Sequence, residues 1–170
     1  MGFIKMKLSS ALAIASTFAG YMDLRKGEFD IDDSVLFGSA AREAKNPNDV
    51  DVMLIHHNVA LGGLPAFRRE DGHQNNFQRF LKLRDLLVSE GYPDLGTLMA
   101  APGIRPALER TILNVVYLDG RFFDEPDYRE KVVGSCSDPN FFHNALGEGY
   151  IWNSKTEKFD IPVRDKYSIS

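Results

Sequence analysis

The sequence contains little cysteine, no excess of basic residues and no long apolar run. A single cysteine, Cys136, allows no disulfide within the chain, so we expect a reducing, cytoplasmic location. The net charge of −4 argues against a broad nucleic-acid-binding surface, although a local basic patch stays open. No segment approaches the roughly 18 consecutive apolar residues of a membrane span. We therefore expect no membrane partner.

The remaining composition is that of an ordinary folded domain. The chain has 170 residues, of which 44% are hydrophobic and 26% are charged, and a chain of this size can bury a substantial core. We predict a single domain over residues 1–170, with its core at about 8–162 and a frayed C-terminal tail at 163–170.

The N-terminal segment "LSSALAIASTFAG" follows two lysines, Lys5 and Lys7, and has two interpretations. A basic start before an apolar stretch is typical of a secretory signal. The interpretation we favour is an amphipathic first helix. Its apolar side chains recur at helical spacing at Leu8, Leu12, Ile14, Ala15, Phe18 and Tyr21.

Strand and helix signals alternate along the rest of the chain and predict an α+β fold. The apolar segments "SVLFG", "VDVMLIHH" and "TILNVVYLD" are typical of strands, and "SAAREAK" and "EPDYREKVVGSC" of helices. Before the tail, the sequence predicts a short helix followed by a hairpin that turns near residues 153–156.

Two aspartates, Asp49 and Asp51, stand one residue apart at the start of a strand that is otherwise apolar. Residues i and i+2 of a strand point to the same face, so their carboxylates should lie side by side. Two adjacent carboxylates repel each other unless a cation lies between them. Mg²⁺, held by one or two carboxylates and by substrate phosphates, meets this requirement.

The dipeptide Gly38-Ser39 follows the preceding strand and begins a short helix. Glycine lets the backbone approach a phosphate closely, and free N–H groups at such a turn can bind it. Gly38-Ser39 alone is often only a turn, and an Asp-x-Asp pair alone is often a solvated strand end. Their occurrence together, in this order, is more specific.

The segment "LFGSAAREAKNPNDVDVMLI" resembles the signature of nucleotidyltransferases of the DNA polymerase β superfamily, in particular their minimal bacterial domains. The resemblance implies a mixed β-sheet with helices packed on one side. It implies that Gly38, Ser39 and Arg42 bind a nucleoside triphosphate such as ATP, and that Asp49 and Asp51 hold Mg²⁺ as catalytic residues. An acceptor would then attack the α-phosphate and release pyrophosphate.

The resemblance has one important departure. The place of the usual third carboxylate is held by Asn114, which cannot act as a base. Asp119 and Glu109 are each five residues away, so a regular strand would direct them to the other face. Only a strand bulge could bring one of them into the site.

Two hypotheses follow for function. The first is a Mg²⁺-dependent transferase that moves a nucleoside monophosphate from a triphosphate to a protein, RNA or small-molecule acceptor. The alternative is a catalytically impaired, antitoxin-like module that acts through a protein partner. A third interpretation, a merely solvated strand edge, does not explain the Gly-Ser turn.

Other side chains could assist such a site. His56 and His57 end the strand that carries the aspartates, and either could contact an acceptor. A basic run in the glycine-rich loop could clamp phosphates or a nucleic-acid acceptor; it comprises Arg68, Arg69, His73 and Arg79. Tyr150 and Trp152 could stack on a base, although packing within the hairpin is favoured.

Overall fold

The computed structural model describes residues 6–57, 85–91, 113–136 and 138–169, together with the backbone of residues 99–100. The glycine-rich loop with its basic run, Arg68 to Arg79, and also Glu109, lie outside them.

Six strands form one mixed sheet with the order β3-β4-β2-β1-β5-β6. The strands are β1 (Ile31–Phe37), β2 (Val50–His56), β3 (Met99–Ala100), β4 (Leu113–Asp119), β5 (Tyr150–Asn153) and β6 (Lys158–Pro162). Strands β3, β4 and β2 run parallel to one another, whereas β1, β5 and β6 are joined by antiparallel pairing. The three strands expected from the apolar segments are confirmed, as is the closing hairpin.

The helices are α1 (Leu8–Leu24), α2 (Lys26–Phe29), α3 (Gly38–Ala41), α4 (Arg121–Asp124), α5 (Pro126–Ser135) and α6 (Phe141–Glu148), and residues 85–89 are also helical. Proline at the first position of α5 suits a helix start, where its missing N–H has no helical partner. With helices and a mixed sheet, the α+β prediction is confirmed.

Two hydrophobic clusters flank the sheet, one on each face. Val50, Val52 and Leu54 of β2 belong to the cluster that contains α1. Met53 and Ile55 belong to the cluster that contains residues of α4, α5 and α6. The prediction of helices on one side only is therefore wrong. The physical reason is that β2 and β4 are apolar at nearly every position, as strands buried on both faces must be.

Helix α1 packs against the sheet, as the amphipathic interpretation predicts. Its buried side chains are Ala11, Ala15, Phe18, Ala19, Tyr21 and Met22. The buried face is displaced from the predicted one, because Leu12 is exposed and Ala11 takes its place. Among the helices of the described residues, none combines the length and the apolar character needed to cross a membrane.

Residues 163–169 of the C-terminal segment are packed onto the domain rather than frayed, which corrects the prediction of a frayed tail for these residues. Val163 is fully buried and begins a 3₁₀ helix, Val163–Asp165. Beyond it, the Tyr167 hydroxyl donates a hydrogen bond to the Asp33 carboxylate. Lys166 Nζ lies 2.8 Å from the same carboxylate. These contacts, in which Asp33 joins β1 to the segment, hold it in place.

Candidate active site

The predicted site residues converge where β1 ends and β2 begins. In the antiparallel register, Phe37 of β1 pairs with Asp51 of β2, so Gly38 follows directly beside Asp51. Asp49 lies just before β2 and, like Asp51, is half-buried. The structure therefore brings the Gly-Ser turn and the aspartate pair together, as their order along the chain predicts.

Asn114 completes this group from the neighbouring strand. In the parallel register of β2 and β4, Asn114 is the partner of Asp51. The second residue of each strand is only half-buried, while the remaining six residues of each strand are buried. This pair is therefore the one break in the burial of the two strands, whose other polar pair, His56 and Asp119, is buried. A half-buried polar pair at matching positions points to a role other than core packing.

The Asn114 side chain joins the two carboxylates. Its Nδ2 donates hydrogen bonds to Asp49 Oδ2 and to Asp51 Oδ1, each at 3.1 Å. An amide offers two N–H donors, and the two carboxylates take one each. This arrangement reduces the repulsion between Asp49 and Asp51 without any cation, because the partial positive charge of the amide lies between them.

Gly38 is required at its position by both conformation and space. Its φ of +75° lies in the region that glycine adopts readily and other residues rarely do. A Cβ atom built there would lie 2.3 Å from Asp51 Oδ2, far inside van der Waals contact. The backbone of the Gly-Ser turn thus lies directly against an Asp51 carboxylate oxygen.

Glu148, at the end of α6, is a site residue that the sequence did not predict. The Gly38 N–H donates to Glu148 Oε1 at 2.9 Å, and Arg42 Nη1 donates to Glu148 Oε2 at 2.8 Å. The Glu148 side chain is 25% exposed, and that of Arg42 is 58% exposed. The single sequence signal was a glutamate in the last turn of a predicted helix, where the helix dipole disfavours negative charge.

Ser39 is half-buried in the first turn of α3, and its carbonyl oxygen accepts a hydrogen bond from Ala44 N at 3.0 Å. Helix α3 has four residues, so few peptide dipoles are aligned and the helix dipole contributes little. The donors at this turn whose directions are defined by contacts are the Gly38 N–H and the Arg42 guanidinium, and both are directed at Glu148.

Asp119 does not substitute for Asn114. The β2–β4 register runs without a bulge from Leu113 to Asp119, so Asp119 lies five residues further along β4. Its carboxylate is buried and bonded to Arg121, whose Nη2 and backbone N each lie at 2.9 Å. This ion pair raises the pKa of the Arg121 guanidinium. Asp119 therefore belongs to a separate structural contact.

The two histidines lie at the far end of β2. Five residues separate Asp51 from His56, a distance of about 16 Å along a strand. His56 is buried, and His57 Nδ1 lies 2.8 Å from Asp32 Oδ1. Neither histidine is therefore placed beside the aspartates. At the hairpin, the Trp152 ring packs edge-on against Phe159 at 5.2 Å, which is the packing role favoured above.

The donor set of the site suits a cation that brings further ligands with it. Within the described ranges, no group of three or more His, Cys, Asp or Glu side chains is arranged to hold a metal ion. The chain offers two carboxylates, Asp49 and Asp51, whose oxygens converge on the Asn114 amide. Mg²⁺ is commonly bound by two carboxylates, with phosphates and water completing the octahedron. The residues present fit that mode of binding.

The comparisons with known proteins found no relative of this chain. No protein-family model, no curated protein and no solved structure matches this chain.

Proposed function

We propose that this chain is a Mg²⁺-dependent nucleotidyltransferase with a polymerase β-like fold. It would transfer a nucleoside monophosphate from a nucleoside triphosphate to a protein, RNA or small-molecule acceptor. One observation carries the proposal. A single amide nitrogen lies 3.1 Å from an oxygen of Asp49 and 3.1 Å from an oxygen of Asp51, so both carboxylates converge on one point beside the backbone of Gly38.

The sheet order supports the proposal. Three adjacent strands, β1, β2 and β4, carry the Gly-Ser turn, the aspartate pair and the position of the third carboxylate, respectively. Residues that are 76 positions apart, from Gly38 to Asn114, thereby lie together at one end of these three central strands. This is the arrangement that the resemblance in the sequence implies.

Asp49 and Asp51 would hold Mg²⁺. When bound, Mg²⁺ neutralises charge on the phosphates and orients the triphosphate. Asn114 suits the site both with and without a bound cation. A 180° rotation of its amide group exchanges Nδ2, a hydrogen-bond donor, for Oδ1, an oxygen that can act as a metal ligand. The same side chain stabilises the free carboxylates in the orientation described here and would offer its oxygen to the cation in the other.

For transfer of the nucleoside monophosphate, the chain has to position the reactants and to stabilise the negative charge of the phosphates. An acceptor oxygen forms a bond to the α-phosphorus while the bond from that phosphorus to the bridging oxygen breaks, and pyrophosphate leaves. Gly38, Ser39 and Arg42 would bind phosphate oxygens. Asn114 cannot take the acceptor's proton, because an amide has no basic group, so that proton would pass to solvent water.

The test is calorimetric titration of the purified protein with each ribonucleoside triphosphate, with and without Mg²⁺. We expect Mg²⁺-dependent binding that is lost in Asp51→Asn, while the folded state remains about as stable as in the wild type. Asp165→Asn is the matched control, because it makes the same chemical change at an exposed position in the C-terminal 3₁₀ helix. Normal Mg²⁺-nucleotide binding by Asp51→Asn would mean that the proposed site is wrong.

The binding-module function has one observation in its favour, which is the neutral amide of Asn114 in place of a third carboxylate. It predicts nucleotide binding without pyrophosphate release in the wild type. Asn114→Asp adds the carboxylate, so it should raise the rate of pyrophosphate release if that group limits turnover. Asn140→Asp, at the opposite end of α6 from Glu148, adds the same charge away from the site and should leave the rate unchanged. A rate unaffected by Asn114→Asp would place that side chain outside the reaction.

A further inference from the structure

We infer that Glu148 is an internal competitor for the nucleotide's phosphate groups, and that it must leave Gly38 and Arg42 before a polyphosphate can bind. The inference rests on the proposed function, because it concerns the anion-binding part of the same site. It assigns a role to a side chain that lies 110 residues from Gly38 in the sequence.

Both oxygens of the Glu148 carboxylate are engaged, and each meets a different kind of donor. A backbone N–H binds Oε1 at 2.9 Å, and a guanidinium binds Oε2 at 2.8 Å. Backbone N–H groups and arginine side chains are also the donors that bind phosphate oxygens. A phosphate oxygen cannot reach the Gly38 N–H at hydrogen-bonding distance while Oε1 occupies that direction.

The surroundings of Glu148 make the closed arrangement replaceable. Glu148 is the last residue of α6, where the negative end of the helix dipole opposes its charge. The attraction of the two donors, the Gly38 N–H and the Arg42 guanidinium, must offset this unfavourable interaction. The contact is therefore open to displacement by a polyanion that arrives with Mg²⁺.

Solvent access fits the same role. The Arg42 side chain is 58% exposed, so a ligand can reach its guanidinium without unfolding α3. Glu148 is partly exposed as well and can rotate towards solvent once it is released. Neither movement requires a change in the sheet.

The test uses inorganic tripolyphosphate as the probe, titrated by calorimetry with and without Mg²⁺. A hydrogen bond to a charged group contributes about 1.5–3 kcal/mol, so removing the competing charge should tighten binding by roughly tenfold or more in Glu148→Gln. Glu130→Gln is the matched control, because it removes the same charge from an exposed position on α5. It should bind tripolyphosphate as the wild type does.

Equal affinity of the wild type and Glu148→Gln, or no binding by either, would overturn the inference. Glu148→Asp is a second variant for the case in which Glu148→Gln does not fold. It keeps the charge, but its side chain is too short to reach both donors. It should also bind tripolyphosphate more tightly than the wild type does. Failure of the proposed function would give a different result from failure of this inference. If only the proposed function were wrong, Glu148→Gln would still bind tripolyphosphate more tightly than the wild type, but nucleotide binding would respond neither to Mg²⁺ nor to Asp51→Asn.

Discussion

Asn114 places a neutral amide where two negative side chains approach each other. Its hydrogen bonds to Asp49 and Asp51 give both carboxylates a partner inside the protein. A side chain without donors at this position would leave the two carboxylates to repel each other across a partly buried space. The residue thus explains how the chain can carry the pair in the absence of a cation.

Gly38→Ala is expected to destabilise the protein by about 1–3 kcal/mol and to abolish nucleotide binding. The added methyl group meets Asp51 Oδ2 at 2.3 Å, and the backbone keeps a positive φ that alanine disfavours. Asp51 must then move, which disrupts the convergence of the two carboxylates. Urea denaturation and calorimetric titration measure the two effects.

Gly20→Ala is the control for this prediction. Gly20 lies in α1, and a Cβ atom there has nothing within 4 Å. The substitution should stabilise the protein by about 0.5–1 kcal/mol, because alanine is the better helix former. A Gly38→Ala variant as stable as the wild type would contradict the close approach of Gly38 and Asp51.

At the scale of elements, the sequence predicts what depends on near neighbours. The two-residue period of a strand is sufficient to place Asp49 and Asp51 on one side. The same period correctly separates Asp119 from Asn114, since β4 has no bulge. Glu148 was not predicted, because the approach of α6 to the Gly-Ser turn depends on tertiary packing between segments 110 residues apart.

The C-terminal segment was mispredicted for a related reason. "RDKYSIS" is polar and has no periodicity, so nothing local indicates order. Its order comes from Asp33 of β1, which binds Tyr167 and Lys166. The Tyr167 ring also stacks on Phe123 at 4.3 Å.

Tyr167→Phe should flatten the loss of stability at alkaline pH. Burial, followed by the hydrogen bond to Asp33, raises the pKa of the Tyr167 phenol. The unfolded phenol ionises near pH 10, so stability is retained below about pH 10 and falls as the pH rises further. The variant lacks this phenol and should lose less stability from pH 9 to pH 11, as measured by urea denaturation.

A smaller alkaline loss should remain in Tyr167→Phe, because burial also raises the pKa of Tyr128. Tyr150→Phe, at a position 37% exposed, serves as the control and should follow the wild type. Parallel curves for the wild type and Tyr167→Phe above pH 10 would show that the C-terminal segment is not docked as described.

At the scale of the whole molecule, one sheet separates two cores. The strands β2 and β4 contribute side chains to both clusters. A destabilising substitution in one cluster should therefore also lower the stability of the other. The sequence showed that the middle of each of these strands is apolar. It did not by itself show which helices cover the second face, since α4, α5 and α6 follow β4 and give no sign of where they pack.

Phe18→Ala and Phe142→Ala, one in each core, should each destabilise the protein by about 3–5 kcal/mol. Phe18 is fully buried and Phe142 is 1% exposed. Because the clusters share β2 and β4, unfolding should remain a single transition in both variants. Circular dichroism and the fluorescence of Trp152, the one tryptophan of the chain, should report the same midpoint.

Leu24→Ala, at a position 83% exposed on α1, is the control and should change the stability by less than about 0.5 kcal/mol. Two separate transitions in Phe18→Ala, one in each signal, would mean that the two faces unfold independently. The shared central strands would then not couple the cores.

The pairing of Asp51 with Asn114 across two parallel strands also has a genetic consequence. The codons for asparagine and aspartate differ at their first base alone, so a third carboxylate lies one point mutation away. Because the strand register already places this side chain beside the aspartates, no backbone change would have to accompany the mutation. A lineage carrying this fold could cross between the amide and acid forms of the site in either direction, in a single step.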